Sequence, residues 1–172
     1  MSAAATIRRV VENCDFQTQI IPYAHEYRQQ LLDGAHEMHA NSIFKDYAFD
    51  ESKLIQQIEA AAQHPDTLRF RIAVKNGVGY GAFFGLISRM FFCDELMARD
   101  VGWWVRQDWR GSWAAICLLA DFEQWARDRG CKKVMLGQSS GMNIEVTTRL
   151  YENCGYRVIG SNSVKSIVGE GG

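Results

Sequence analysis

The sequence predicts an α+β fold in which a mixed, mostly antiparallel central sheet is flanked by helices. Three observations carry that expectation. Asn76-Gly77 sits between two β-patterned runs, Phe70 to Val74 and Val78 to Ile87, and both turn residues tolerate positive φ, which makes the pair a strong hairpin signal. The stretch Asp100 to Gly130 reads as a strand that passes through an Arg-Gly turn into an amphipathic helix. The remaining segments complete an order of strand, two helices, three antiparallel strands, helix, strand, helix and closing strands.

Thr6 to Val11 reads as the first strand, with Ile7, Val10 and Val11 apolar among arginines. Pro22 opens a helical stretch to about Met38, because a proline in the first turn lacks only an N–H that had no partner there. Asp50-Glu51-Ser52-Lys53 begins a second helix, with Leu54, Ile55 and Ile58 on one face, and His64-Pro65 ends it. In the hairpin, Gly79, Gly81 and Gly85 weaken the second strand and mark a bulge, or a bend where another chain or a ligand comes close. A third strand from about Glu95 to Val105 continues the meander. Beyond Arg110-Gly111-Ser112, the residues Ala115, Leu118, Leu119, Phe122 and Ala126 recur at helical spacing as far as Arg129. Glu123 precedes Arg127 in the favourable order for a helical ion pair, and Gly130 suits a left-handed cap. Lys133 to Leu136 is a short strand and Asn143 to Asn153 a helix, with closing strands at Tyr156 to Ile159 and Val164 to Ile167. Residues 1–168 then form one domain and residues 169–172 a disordered tail.

With 172 residues and 47% hydrophobic content, the chain is large enough to bury one substantial core. Its net charge of −1 argues against nucleic acid or a membrane surface as the main partner. No apolar run is long enough to span a bilayer and the N-terminus lacks the apolar core of a secretory signal, so a cytoplasmic location is expected. Cys14, Cys93, Cys117, Cys131 and Cys154 are an odd set without paired metal spacing and read as reduced thiols filling core gaps.

A strand that feeds a helix through a small-residue turn leaves unpaired N–H groups at the helix start, and these can hold an anion. That turn is also where a resemblance appears. Arg110-Gly111-Ser112-Trp113-Ala114-Ala115 resembles the acetyl-CoA signature of the GNAT superfamily of N-acetyltransferases, Arg/Gln-x-x-Gly-x-Gly/Ala, with Trp113 in place of the central glycine. An indole there either turns away along the helix or narrows the site. Leu150-Tyr151-Glu152-Asn153-Cys154-Gly155-Tyr156 resembles the family's Leu-Tyr-x-x-x-Gly-Phe segment, and Asn143 its helix-opening asparagine. The order of predicted elements is also that of the GNAT fold.

The resemblance implies a protein that takes acetyl-CoA as co-substrate and acetylates a primary amine of a small molecule or protein. It implies that backbone groups around Val105 and Gln107 bind the pantetheine arm, and that the turn formed by Arg110, Gly111, Ser112, Trp113, Ala114 and Ala115 holds the pyrophosphate. It also makes Tyr151 a general acid toward the departing thiolate, and Glu95 and Asp100 candidates for the base or for holding a water. Each has a plainer alternative: Tyr151 as a packing residue, the acidic pair as solvated strand-end charges. The main alternative to the enzyme is a GNAT-fold protein without catalysis that serves as a binding or structural subunit, supported by Trp113. A homodimer remains open.

Other groups read as structural. His36 and His39, three residues apart beside Glu37, lack a third ligand and the spacing of a metalloprotease helix, so no metal is expected. Trp103, Trp104, Trp109, Trp113 and Trp125 suit core packing rather than base stacking in a chain without a basic groove. Arg127, Arg129, Lys132 and Lys133 form a small basic patch, either solvated or placed to meet a CoA phosphate.

Overall fold

The computed structural model describes residues 18–165, so the strand expected at Thr6 to Val11 and the tail at 169–172 lie outside the described residues. The strands are β1 (Gln19–Ile21), β2 (Leu68–Lys75), β3 (Val78–Arg89), β4 (Leu96–Val105) and β5 (Lys133–Met135). The helices are α1 (Arg28–Ala40), α2 (Glu51–Gln63), α3 (Ala114–Asp128) and α4 (Ile144–Asn153). The strands form one sheet in the order β1-β2-β3-β4-β5. All neighbours are antiparallel except β4 and β5, which run parallel.

Alternation along the strands explains the layering, because successive side chains point to opposite faces. Phe70, Ile72 and Val74 of β2 pack with Leu31, Leu32, Ile55 and Ile58 of α1 and α2 on one face. Ala73, Tyr80, Phe83 and Ile87 meet Leu118, Phe122 and Trp125 of α3 on the other. Arg69 joins the second layer from β2 by a bidentate ion pair to Asp121, at 2.9 and 2.6 Å, the strong form of such a contact.

Two glycines set how closely layers approach. A Cβ at Gly34 would strike the Trp104 indole, and one at Gly85 would strike the Phe122 ring. The expected irregularity is present: the β2–β3 register shifts opposite Gly79–Gly81, and the β3–β4 register shifts between Phe84 and Gly85. Phe84 pairs with Gly102 and Gly85 with Asp100, so Val101 is the extra residue of a bulge in β4.

Local signals are met at several ends. Asn76 (φ 51°) and Gly77 (φ 76°) make the hairpin turn, and Gly130 (φ 74°) closes α3. Asp50 caps α2 by accepting from the Lys53 N–H at 3.0 Å. Arg127 pairs with Glu123 at 2.6 Å.

Three expectations need correction. The chain after Pro22 does not enter a helix at once: Gln19–Ile21 pairs with β2, and α1 begins at Arg28 after a 3₁₀ turn at His25–Tyr27. Proline cannot donate to a ladder, so it ends the strand instead of opening the helix. The closing strand at Tyr156 to Ile159 does not form; of the one expected at Val164 to Ile167, Val164 and Lys165 are outside any strand and the rest lies outside the described residues. Val158 is 56% and Ile159 75% exposed; β propensity without a facing strand to bury those side chains is too weak to order them. Cys117 is disulfide-bonded, against the expectation of reduced thiols, whereas Cys93, Cys131 and Cys154 are free. The basic patch lies at the C-terminal end of α3, about 22 Å along the helix from the Arg-Gly turn by helical rise. There Arg127 and Arg129 are paired with Glu123 and Asp66.

Candidate active site

The site begins where the sheet comes apart. β4 and β5 pair only at Met97 to Arg99 with Lys133 to Met135. Beyond the Val101 bulge the two strands diverge, so the edge of β4 from Asp100 to Val105 has no partner strand among the described residues. A cleft of about 290 Å³ occupies this gap. It is lined by β4, by the Arg110–Ser112 turn and Ala115 of α3, by Asn143, Leu150 and Tyr151 of α4 and its start, and by Glu37 and Met38 of α1.

The turn between β4 and α3 is a nest of free donors. The Ser112 N–H bonds Trp109 O at 3.1 Å and the Arg110 N–H bonds Gln107 O at 3.3 Å. The N–H groups of Gly111, Trp113, Ala115 and Ile116 make no hydrogen bond to another described residue. Gly111 sits at φ +85°, where only glycine is unstrained, with open space beside it. Together with the positive end of α3 these amides form an anion cradle, so the residues present fit the diphosphate of a CoA ester.

Trp113 does not obstruct the cradle. It sits in ordinary helical geometry (φ −70°, ψ −7°), which any residue adopts. It is 39% exposed and outside the cleft lining. Of the two expectations for this indole, the one in which it turns away holds. Arg110 reaches across the cleft mouth to Glu37 at 2.8 Å, and its Nε donates to the carbonyl of Val105 at 3.3 Å.

Tyr151 and Asp100 converge at the inner end. Tyr151 is buried, its ring 5.9 Å from that of Trp103. Its hydroxyl donates to Gly137 O at 3.0 Å. Asp100 Oδ1 accepts from Gly137 N at 2.8 Å, holding by a side chain the segment that the ladder has released. Burial raises the Tyr151 pKa well above the tyrosine range, and the Asp100 charge adds to it. Burial also raises Asp100 above its ordinary 3.8, against the opposing pull of the Gly137 amide.

The cleft therefore brings together Asp100, Val105, Arg110, Gly111, Ser112, Ala115, Asn143 and Tyr151. Asn143 opens α4 in the left-handed region (φ 46°) without capping it through its side chain. Gln107, Trp113 and Ala114 stand outside the lining, and so does Glu95, which is exposed with Lys132 4.0 Å away. Glu95 precedes Asp100 by about 17 Å of extended strand, too far to share its site. The sequence reading missed Glu37, Met38, Ser42, Phe44 and the 137–142 loop, which also line the cleft. The run Gly137-Gln138-Ser139-Ser140-Gly141, small and polar between two elements, signals a loop but nothing local places it in the cleft. Among the described residues no cluster of metal-ligating side chains occurs, and no helix is long and apolar enough to cross a membrane.

The architecture is that of the GNAT acetyltransferases. The glucosamine-6-phosphate N-acetyltransferase of Arabidopsis thaliana superposes with a TM-score of 0.69 at 14% identity, over 88% of this chain and 99% of that one. The aminoglycoside N-acetyltransferase AAC(6')-Iy in complex with CoA gives 0.66 at 16% identity, over 89% and 95% of the two chains. A transcriptional regulator of Bacillus halodurans gives 0.67 at 14% identity, over 87% and 99%, so the fold does not by itself fix the activity. No sequence-family profile and no curated protein sequence matches the chain.

Proposed function

We propose that this protein is an N-acetyltransferase that moves an acetyl group from acetyl-CoA to a primary amine of a small molecule or protein. The observation that carries the reading is the opening of β4 from β5 at the Val101 bulge, which joins the free amides of Gly111, Trp113, Ala115 and Ile116 to buried Tyr151 and half-buried Asp100. The unpaired edge of β4 offers amide groups to a pantetheine arm. Arg110 and the turn amides hold the diphosphate, Arg110 through the guanidinium N–H groups that its bonds to Glu37 and to the Val105 carbonyl leave free. Acetyl-CoA, when bound, supplies the activated thioester. Asp100 takes the proton of the acceptor ammonium, so that the neutral amine forms the new C–N bond. Tyr151, kept protonated by burial, releases its bond to Gly137 O and gives its proton to the sulfur as the C–S bond breaks, and the phenolate then takes the second proton from the acylated nitrogen, which leaves a neutral amide.

The non-catalytic alternative leaned on Trp113, and an indole outside the cleft removes that support. The test is a screen of primary amines with acetyl-CoA, reading free-thiol release. Acceptor-dependent thiol is the expected result. Tight acetyl-CoA binding without transfer to any amine would return the non-catalytic reading.

A further inference from the structure

Resting on the acetyltransferase reading, we infer that the acceptor is a small primary monoamine with a flat apolar or aromatic body, seated against Phe44 and Trp104. The cleft that holds Asp100 is also lined by α1 and the loop after it. The wall there is Met38, Phe44 and Trp104, faced by the uncharged Ser139 and Ser140. Phe44 keeps 37% of its surface exposed while lining the cleft. It is held rather than loose: buried Ser42 donates its hydroxyl to His39 O at 3.0 Å and accepts the Phe44 N–H at 3.1 Å. The Ile43 N–H ties the same loop to Ser140 O across the cleft at 3.0 Å. Trp104 is fixed from behind by Gly34.

Charge narrows the class. The charged groups lining the cleft are Glu37, Asp100 and Arg110. Glu37 and Arg110 satisfy each other at 2.8 Å, which leaves Asp100 as the single carboxylate for a cation. One ammonium is therefore balanced, whereas a polycation would need further carboxylates and a phosphorylated amine a second cation. An aromatic body buries more apolar surface against Phe44 and Trp104, and gains ring stacking, than a polyhydroxylated sugar does.

The test compares phenethylamine, glucosamine-6-phosphate and sisomicin as acceptors, with ligand-observed NMR of phenethylamine on the protein alone. The expected result is a kcat/KM for phenethylamine about tenfold or more above the other two. Phe44→Ala should lower it about fivefold to tenfold while the KM for acetyl-CoA stays unchanged. Preference for the sugar phosphate or the polycation overturns this inference and leaves the acetyltransferase reading standing. Absence of acetyl-CoA binding removes that reading, and NMR contact of phenethylamine, lost in Phe44→Ala, then decides on its own whether the apolar amine site exists. No contact in the wild type overturns the inference.

Discussion

Tyr151 and Asp100 are fastened to the same residue from opposite sides: the tyrosine hydroxyl donates to Gly137 O at 3.0 Å, and the carboxylate accepts from Gly137 N at 2.8 Å. A helix side chain and a strand side chain thus clamp the loop leaving β5 and stand together at the inner end of the cleft. The clamp is structural as it stands, and the same two groups are the acid and the base of the proposed transfer. The first two predictions separate these roles.

Tyr151→Phe keeps the ring against Trp103 and removes the transferable proton. If Tyr151 is the general acid, kcat falls by about 10²–10⁴-fold while acetyl-CoA affinity barely changes. The loss of one hydrogen bond to Gly137 O costs about 1 kcal/mol of stability. Steady-state kinetics beside a calorimetric Kd reads both; near-wild-type kcat would leave Tyr151 as a clamp only.

Asp100 makes stability depend on pH. Burial raises its folded pKa above the ordinary value, so the folded state binds the proton more tightly than the unfolded chain. Its contribution is fully present below the unfolded pKa and is lost as pH rises through the folded pKa. Asp100→Asn retains an acceptor for Gly137 N but does not titrate. The stability of the variant relative to wild type should therefore increase with pH through that window, measured by urea unfolding between about pH 3 and pH 7. Parallel pH profiles would show that the carboxylate is not held in a raised state.

Gly34→Ala tests the packing behind the acceptor wall. Alanine in a helix interior is ordinarily favoured over glycine by about 1 kcal/mol. Here the new methyl meets the Trp104 indole, and overpacking of that kind costs about 1–3 kcal/mol. The net change should be destabilising in chemical denaturation. In a Trp104→Ala background the same substitution should stabilise by about 1 kcal/mol. A stabilising effect in both backgrounds would mean that Trp104 yields freely.

The hairpin, the amphipathic α3 and its Gly130 cap were legible because each rests on a local signal: Asn76-Gly77, apolar spacing, an ion pair set by Glu123 and Arg127. The anion cradle was legible from the Arg110-Gly111 turn, and Tyr151 and Asp100 from resemblance. Glu37 and Phe44 were not, since their place in the cleft depends on how α1 and its following loop pack across β4, and no local pattern encodes that packing. The Tyr156 to Ile159 segment carried a strand pattern that its surroundings do not use. Glu95 failed for a geometric reason: the strand carries it away from the splay that creates the site.

Titration of acetyl-CoA into the wild-type chain, Arg110→Ala and Trp113→Gly tests the central claim most directly. The account predicts saturable binding at micromolar concentration in the wild type, weakened in Arg110→Ala. In Trp113→Gly it predicts retained binding, because the indole lies outside the cleft. No binding to the wild type would contradict the account. So would unchanged affinity in Arg110→Ala together with loss in Trp113→Gly, which would make the indole part of the site and the Arg110 turn irrelevant to it.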